Sequence, residues 1–102
     1  MTRKSAREGT CPFCEISADR ILAETALAVT IADGFPVSPG DTLVIPKRHI
    51  ASPFDTAEAE MAAIWQAIRN AAECLRAEHQ PDGFNIGVNA GATAGQTVMH
   101  LH

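Results

Sequence analysis

The stretch Asp55-Thr56-Ala57-Glu58-Ala59-Glu60-Met61-Ala62-Ala63-Ile64-Trp65-Gln66-Ala67-Ile68-Arg69-Asn70-Ala71-Ala72-Glu73-Cys74-Leu75 decides how this chain folds. Within it Met61, Ile64, Trp65, Ile68, Ala72 and Leu75 recur at spacings of three and four, the period of one helix face. Asp55 followed by Glu58 reads as a capping-box-like start, where side-chain oxygens take up the first unpaired amides. Arg69 and Glu73 stand four apart on the polar side and support each other. Pro81-Asp82-Gly83 ends the helix.

On either side the pattern changes to short, β-branched, alternating runs. Ile21 to Thr25 and Ala26 to Ala32 read as two strands of a hairpin. Thr42-Leu43-Val44-Ile45 reads as a third strand, stopped by Pro46. Between them lies a loop, Gly34-Phe35-Pro36-Val37-Ser38-Pro39-Gly40, broken by two prolines and two glycines. Beyond the helix, Phe84 to Val88 and Thr97 to His102 read as two more strands. The order β-β-β-α-β-β, without repeats, predicts an α+β domain: a mostly antiparallel sheet with one long helix packed on it. Residues 11–102 form that domain, and residues 1–10, polar and basic, read as a flexible tail.

Composition narrows the function classes. With 102 residues there is room for one small domain, and 46% hydrophobic content is enough for a packed core. No apolar run approaches the roughly 18 residues of a membrane-spanning helix, and no secretory signal opens the chain. A cytoplasmic protein that does not engage membranes is therefore expected. A net charge of −4 argues against a nucleic-acid surface, which needs clustered Lys and Arg. Lys47-Arg48-His49 is too short to be such a cluster.

Cys11-Pro12-Phe13-Cys14 is a C-x-x-C pair. Alone it is a zinc half-site, a redox dithiol or a coincidence. The redox reading wants a core strand before the pair, and only ten polar residues precede Cys11. A tetrahedral zinc site needs two further ligands. His49 directly follows the third strand, and His100 lies on the last one. Cys11, Cys14, His49 and His100 would make a Cys2His2 site. His79, at the helix end, reads as a solvated residue that suits the helix dipole. Cys74 reads as a small buried hydrophobe.

His102 then remains free for chemistry. His100 and His102 are two apart, so on a strand both rings face one side. A neutral imidazole, with an unperturbed pKa of about 6.5, is a good nucleophile towards phosphorus near neutrality. Phosphoryl oxygens need donors that already face them. Backbone amides around Gly95-Gln96, the Gln96 amide and the Thr97 hydroxyl are the candidates, although on spacing alone Gly91 to Gln96 is equally an ordinary surface loop.

These residues carry a resemblance. Gly95-Gln96-Thr97-Val98-Met99-His100-Leu101-His102 is similar to the Gly-Gln-Ser/Thr-x-x-His-x-His-x-His signature of the histidine-triad (HIT) family of nucleotide hydrolases and transferases, as far as its second histidine. Thr42 to His49, the Asn89 loop and the Cys-Pro-Phe-Cys-Glu-Ile start add to it, the last resembling the zinc-binding, bacterial-type (Hint-like) members. The resemblance runs from Cys11 to His102. It implies an α+β fold dimerised through the long helix, a purine-nucleotide substrate, and attack by the middle histidine, here His102, on the α-phosphate of a nucleoside phosphoramidate or dinucleoside polyphosphate. A nucleotidyl-histidine is then hydrolysed. It also implies that Ile31 faces the base or ribose, that Asp33 holds the ribose hydroxyls, and that Asn89, Gly95, Gln96 and Thr97 hold the phosphate. Zinc, in a structural role, would sit on Cys11, Cys14, His49 and His100. Two departures stand out. The chain lacks the third triad histidine and any residue beyond it, so the last strand is expected to be incomplete, and Asp41 stands where relatives often carry His. The alternative expectation is a zinc-stabilised purine-nucleotide-binding module with little turnover.

Overall fold

The computed structural model describes residues 11–102; the expected tail, residues 1–10, lies outside the described residues. Three strands form one antiparallel sheet in the order β1-β2-β3: β1 (Ile21–Glu24), β2 (Ala28–Ala32) and β3 (Thr42–Pro46). β1 and β2 are joined by a tight turn at Thr25, whose hydroxyl oxygen accepts from the amides of Leu27 and Ala28. β3 pairs along all of β2, from Ala28↔Pro46 to Ala32↔Thr42. A register shift between Ile21 and Ala23 marks a bulge in β1.

β2 is central and both of its faces are closed. Val29 and Ile31 pack with Ile45 from β3, and Phe13, Ile16, Ile21 and Leu43 cover that cluster. The alternate residues Ala28 and Thr30 are buried as well. A single long helix, α1 (Glu58–His79), lies across β2 and β3. The α+β architecture expected from the sequence is the one observed. No described helix is long and apolar enough to cross a membrane.

Several details differ from expectation. The helix begins at Glu58, and its cap is not the expected pair Asp55 and Glu58 but half a box two residues on: Glu60 Oε1 accepts from the Ala57 amide at 2.8 Å. Ala57 has no side-chain acceptor to return the bond, and Asp55 belongs to a short 3-10 turn, Pro53–Asp55. The buried helix residues are Glu60 and Ala67; of the expected face Ile64, Ile68, Ala72 and Leu75 are half-buried, as are Ala63 and Ala71, whereas Met61 and Trp65 are exposed. Two adjacent stripes of the helix carry apolar residues, and the sequence pattern merges them. Cys74 is exposed on α1, not buried.

Phe84 to Val88 and Thr97 to His102 are not strands. A strand exists only where a ladder of backbone bonds exists, and residues 84–88 make no backbone hydrogen bond among the described residues. The last segment has one such bond to its neighbour, Leu101 N to Ile50 O at 2.7 Å. The other nearby carbonyls accept from side chains: Pro46 O from His100 and Ala51 O from Gln96. The segment is fastened through side chains where a ladder was expected.

Candidate metal and nucleotide site

The site forms where β3 ends. Pro46 closes the strand, and the chain turns through Lys47, Arg48 and His49. His100 is brought under this turn with no exposed surface. Its Nε2 lies 2.8 Å from Pro46 O. A carbonyl only accepts, so Nε2 carries the hydrogen and Nδ1 keeps its lone pair. That nitrogen faces Cys11 Sγ at 3.2 Å and Cys14 Sγ at 3.5 Å. Burial lowers the His100 pKa below the ordinary value; the Pro46 carbonyl opposes this, and His49 and His102 add to it. The shift favours the neutral ring, the form that can bind a metal.

His49 approaches from the other side, with Nδ1 3.1 Å from Cys14 Sγ and its ring edge-on to His100 at 4.9 Å. Cys11 and Cys14 share one turn, closed by Cys14 N to Cys11 O at 3.1 Å. The ligand atoms of Cys11, Cys14, His49 and His100 all lie within 4.8 Å of one another. Tetrahedral zinc, with bonds of about 2.3 Å to sulfur and 2.0–2.1 Å to nitrogen, sets its ligand atoms roughly 3.5 Å apart. Both the donor set and the spacing suit such an ion.

Phe13, inside the C-x-x-C turn, links this cluster to His102. Its ring meets His100 edge-on at 6.1 Å and His102 at 4.8 Å, tilted by 50°. Both histidines thus meet the same aromatic neighbour, although the segment is not the strand from which that was expected. His102 Nδ1 lies 2.8 Å from His100 O. Because that carbonyl too can only accept, Nδ1 donates, and Nε2 is the nitrogen left with a free lone pair.

The loop before them is fixed by Gln96. Gly91 and Gly95 adopt φ of 98° and 103°, values that side chains rarely tolerate. A 3-10 turn, Ala92–Ala94, lies between them. Gln96 is buried, and its side chain is fully engaged: Oε1 accepts from Gly91 N at 2.8 Å, and Nε2 donates to Ala51 O at 2.9 Å and Val98 O at 3.0 Å. The expectation that its amide faces a phosphate therefore meets a different arrangement, in which it staples the loop. The Thr97 hydroxyl and the Thr97 and Val98 amides have no partner among the described residues. Asn89 is exposed, with its side-chain amide beside Gly95.

Two other expected residues also have defined places. Ile31 has no exposed surface, because it sits in the core beneath Phe13; it backs the site and does not line it. Asp33 is half-buried at the end of β2, and its Oδ1 accepts from Phe35 N at 2.9 Å. Asp41 grips the other end of that loop through Val37 N at 2.9 Å. His79 is exposed, as expected. Sequence reasoning missed Phe13 as a site residue, although it lies inside the C-x-x-C pair, and it missed the Pro46 carbonyl, which no side-chain pattern signals.

With this geometry in view, comparison with known proteins decides the family. The HIT domain model matches residues 15–102. The chain belongs to the HIT family. It is similar to a HIT family member of Bacillus subtilis of known crystal structure, with a TM-score of 0.82 and 33% identity over 90% of this chain and 68% of that one. A zinc-bound histidine-triad family protein from Mycobacterium smegmatis superposes with a TM-score of 0.79 at 36% identity, over 91% of this chain and 70% of the other. Among curated HIT relatives, the adenosine 5'-monophosphoramidase of Schizosaccharomyces pombe is 34% identical over 91% of this chain and 70% of its own. The HIT family thus includes nucleotide hydrolases.

Proposed function

We propose that this chain is a zinc-stabilised nucleotide hydrolase or transferase of the bacterial, Hint-like kind. It acts at the α-phosphate of nucleoside phosphoramidates or dinucleoside polyphosphates, with a purine nucleoside as the held half. The observation that carries the reading is the bond from His102 Nδ1 to His100 O, which leaves the His102 Nε2 lone pair for attack on phosphorus. Nε2 forms a bond to the α-phosphorus while the bond to the leaving group breaks. The amine or phosphate departs with that electron pair and takes a proton from solvent, which the attacking water later gives back. Water then attacks the same phosphorus, the phosphorus–nitrogen bond breaks, and the nucleoside monophosphate and free imidazole are restored.

The roles of the remaining residues follow from their placement. The unpartnered amides and hydroxyl at Thr97 and Val98 are the donors available to the phosphoryl oxygens. Gln96 and the two left-handed glycines keep that loop in one shape, and Asn89 flanks it. Asp33 has one oxygen in a turn and a second for ribose hydroxyls. Zinc, when bound by Cys11, Cys14, His49 and His100, supplies a covalent-strength cross-link between the N-terminal turn, the end of β3 and the last segment. Homodimerisation through α1 is part of the same reading. Trp65, Phe84, Ile86 and Val88 leave a large apolar surface exposed, and a groove of about 410 Å³ runs between α1 and Phe84–Ile86.

Native mass spectrometry with adenosine phosphoramidate tests this directly. A nucleotidyl adduct on a zinc-loaded dimer, lost in His102→Ala while nucleotide binding persists, is the expected result. Turnover that survives His102→Ala refutes the nucleophile. Nucleotide binding with zinc but no adduct points to the binding-module reading.

A further inference from the structure

His49 differs from the other candidate ligands in how it is aimed. The His100 ring is fixed from behind by the Pro46 carbonyl. His49 is exposed, and its Nε2 has no partner among the described residues. A ligand without a hydrogen-bonded partner on its far nitrogen depends the more on its backbone for its aim. That backbone is clamped on both sides. After it, Ile50 is buried and its carbonyl accepts from Leu101 N at 2.7 Å. Before it, the Arg48 guanidinium grips Glu60 on α1 with two bonds, Nε to Oε2 and Nη2 to Oε1, both at 2.8 Å.

This fork-to-fork pairing is the most directional ion pair available to side chains. Glu60 is itself immobile: it is 5% exposed, and its Oε1 also accepts from the Ala57 amide that starts α1. Arg48 Nη2 adds a weaker contact to Asp55 O at 3.3 Å. The residue next to a metal-ligand candidate is therefore bolted to the first turn of the long helix, 12 positions away in sequence.

We infer that Arg48 and Glu60 are positioning residues for the metal centre, setting the His49 imidazole at bonding distance from an ion shared with Cys11, Cys14 and His100. The inference rests on the metal reading proposed above. It accounts for a nearly buried carboxylate at the start of α1, which the nucleotide chemistry does not use. Lys47, on the other side of Arg48, pairs instead with Glu24 on β1 and takes no part in this clamp.

Cobalt titration of the full chain separates this from a merely structural ion pair. The probe is Co²⁺, read by its tetrahedral visible bands and thiolate charge-transfer absorption, with a chelator competing for the ion. The expected result is that Arg48→Ala and Glu60→Gln weaken Co²⁺ binding about tenfold or more and alter the visible bands. Arg48→Lys recovers part of the loss, and Lys47→Ala keeps wild-type behaviour. Glu60→Gln keeps the side-chain volume and the Ala57 bond, so it stays informative if Arg48→Ala fails to fold. A merely structural pair lowers the Tm of metal-free and metal-loaded protein equally and leaves the metal-induced shift in Tm unchanged; that outcome overturns the inference. Failure of the wild-type chain to give tetrahedral Co²⁺ bands overturns the metal reading itself, and this one with it.

Discussion

Replacing Gln96 by Glu changes one group and almost no volume, so it isolates what the loop staple contributes. In the native chain the Gln96 amide donates to Ala51 O and Val98 O, at 2.9 and 3.0 Å. A carboxylate placed there has no hydrogen to give and points an anion at two carbonyls. Each lost bond costs about 1 kcal/mol, and partial burial of an unpaired charge adds to it. The expected loss is about 2–4 kcal/mol, a roughly 30- to 1,000-fold shift towards the unfolded chain. For a domain of this size that lowers Tm by roughly 10–25 °C. The pH dependence has a fixed sign. Burial and the two carbonyls raise the pKa of the introduced carboxyl in the folded protein above its unfolded value. The neutral acid regains one donor, so the variant recovers stability relative to wild type as pH falls. The deficit is complete once pH rises above the folded pKa. Urea midpoints of Gln96→Glu and wild type, paired at pH 5.5 and pH 8, measure the difference while cancelling whatever acid does to the rest of the molecule. A deficit under about 0.5 kcal/mol at pH 8, or one that does not shrink at pH 5.5, refutes the staple.

Three further outcomes are expected. Ile45→Ala, at a side chain with no exposed surface, should cost about 2–5 kcal/mol by calorimetry or urea denaturation; a cost below 1 kcal/mol would place the core elsewhere. The Arg48 guanidinium and the Ala57 amide hold the Glu60 carboxyl down to a pKa of about 2. Its stabilising effect is then fully present above the ordinary value of about 4.3 and is lost as pH falls towards the folded pKa. Acid titration of Glu60→Gln should accordingly show a shallower loss of stability between these limits than wild type, and identical slopes would contradict that. Phe13→Ala removes the ring 4.8 Å from His102 but no candidate metal ligand. It should slow nucleotidyl-adduct formation about tenfold or more, by loosening the nucleophile, while leaving zinc stoichiometry at wild type. Loss of zinc in step with rate would show that Phe13 serves the turn and not the nucleophile.

What the sequence disclosed depended on whether the physics was local. β1, β2 and β3 were legible because their alternation, turns and terminating proline are written in adjacent residues. The four candidate ligands were legible because a C-x-x-C pair asks for partners and few histidines can answer. Phe84-Asn85-Ile86-Gly87-Val88 carries the same alternation as a strand, yet forms none, because a ladder needs a neighbour that the segment's own residues do not specify. The helix was legible in extent and, through Ile64, Ile68, Ala72 and Leu75, largely in orientation; Glu60 and Ala67, the residues buried deepest, were not, because small size and an ion pair with Arg48 put them there, which a hydrophobic pattern cannot weigh. Gln96 was legible as a site residue, but not its task as the staple of the loop. Its partners, Ala51 O and Val98 O, are carbonyls, and every residue has one.

The stretch from Pro46 to Ala51 has little chemistry of its own but holds everything near it. Pro46 O fixes the His100 tautomer, Ile50 O holds Leu101, and Ala51 O holds Gln96. Arg48 ties the same stretch to α1, and His49 turns from it towards Cys14. The candidate metal cluster, the glycine-bounded loop and the orientation of His102 therefore share one short backbone. Its displacement is expected to move all three at once. Perturbations of the three should not add: neighbours that share partners couple by about 0.5–3 kcal/mol, whereas residues joined only through solvent do not. On the proposed reading, an ion held by Cys11, Cys14, His49 and His100 would support a reaction it does not touch. By tying the turn that holds Phe13 to His100, whose tautomer Pro46 O sets, it would steady the carbonyl that holds His102 Nδ1 and so keep His102 Nε2 as the nitrogen offered to a phosphate.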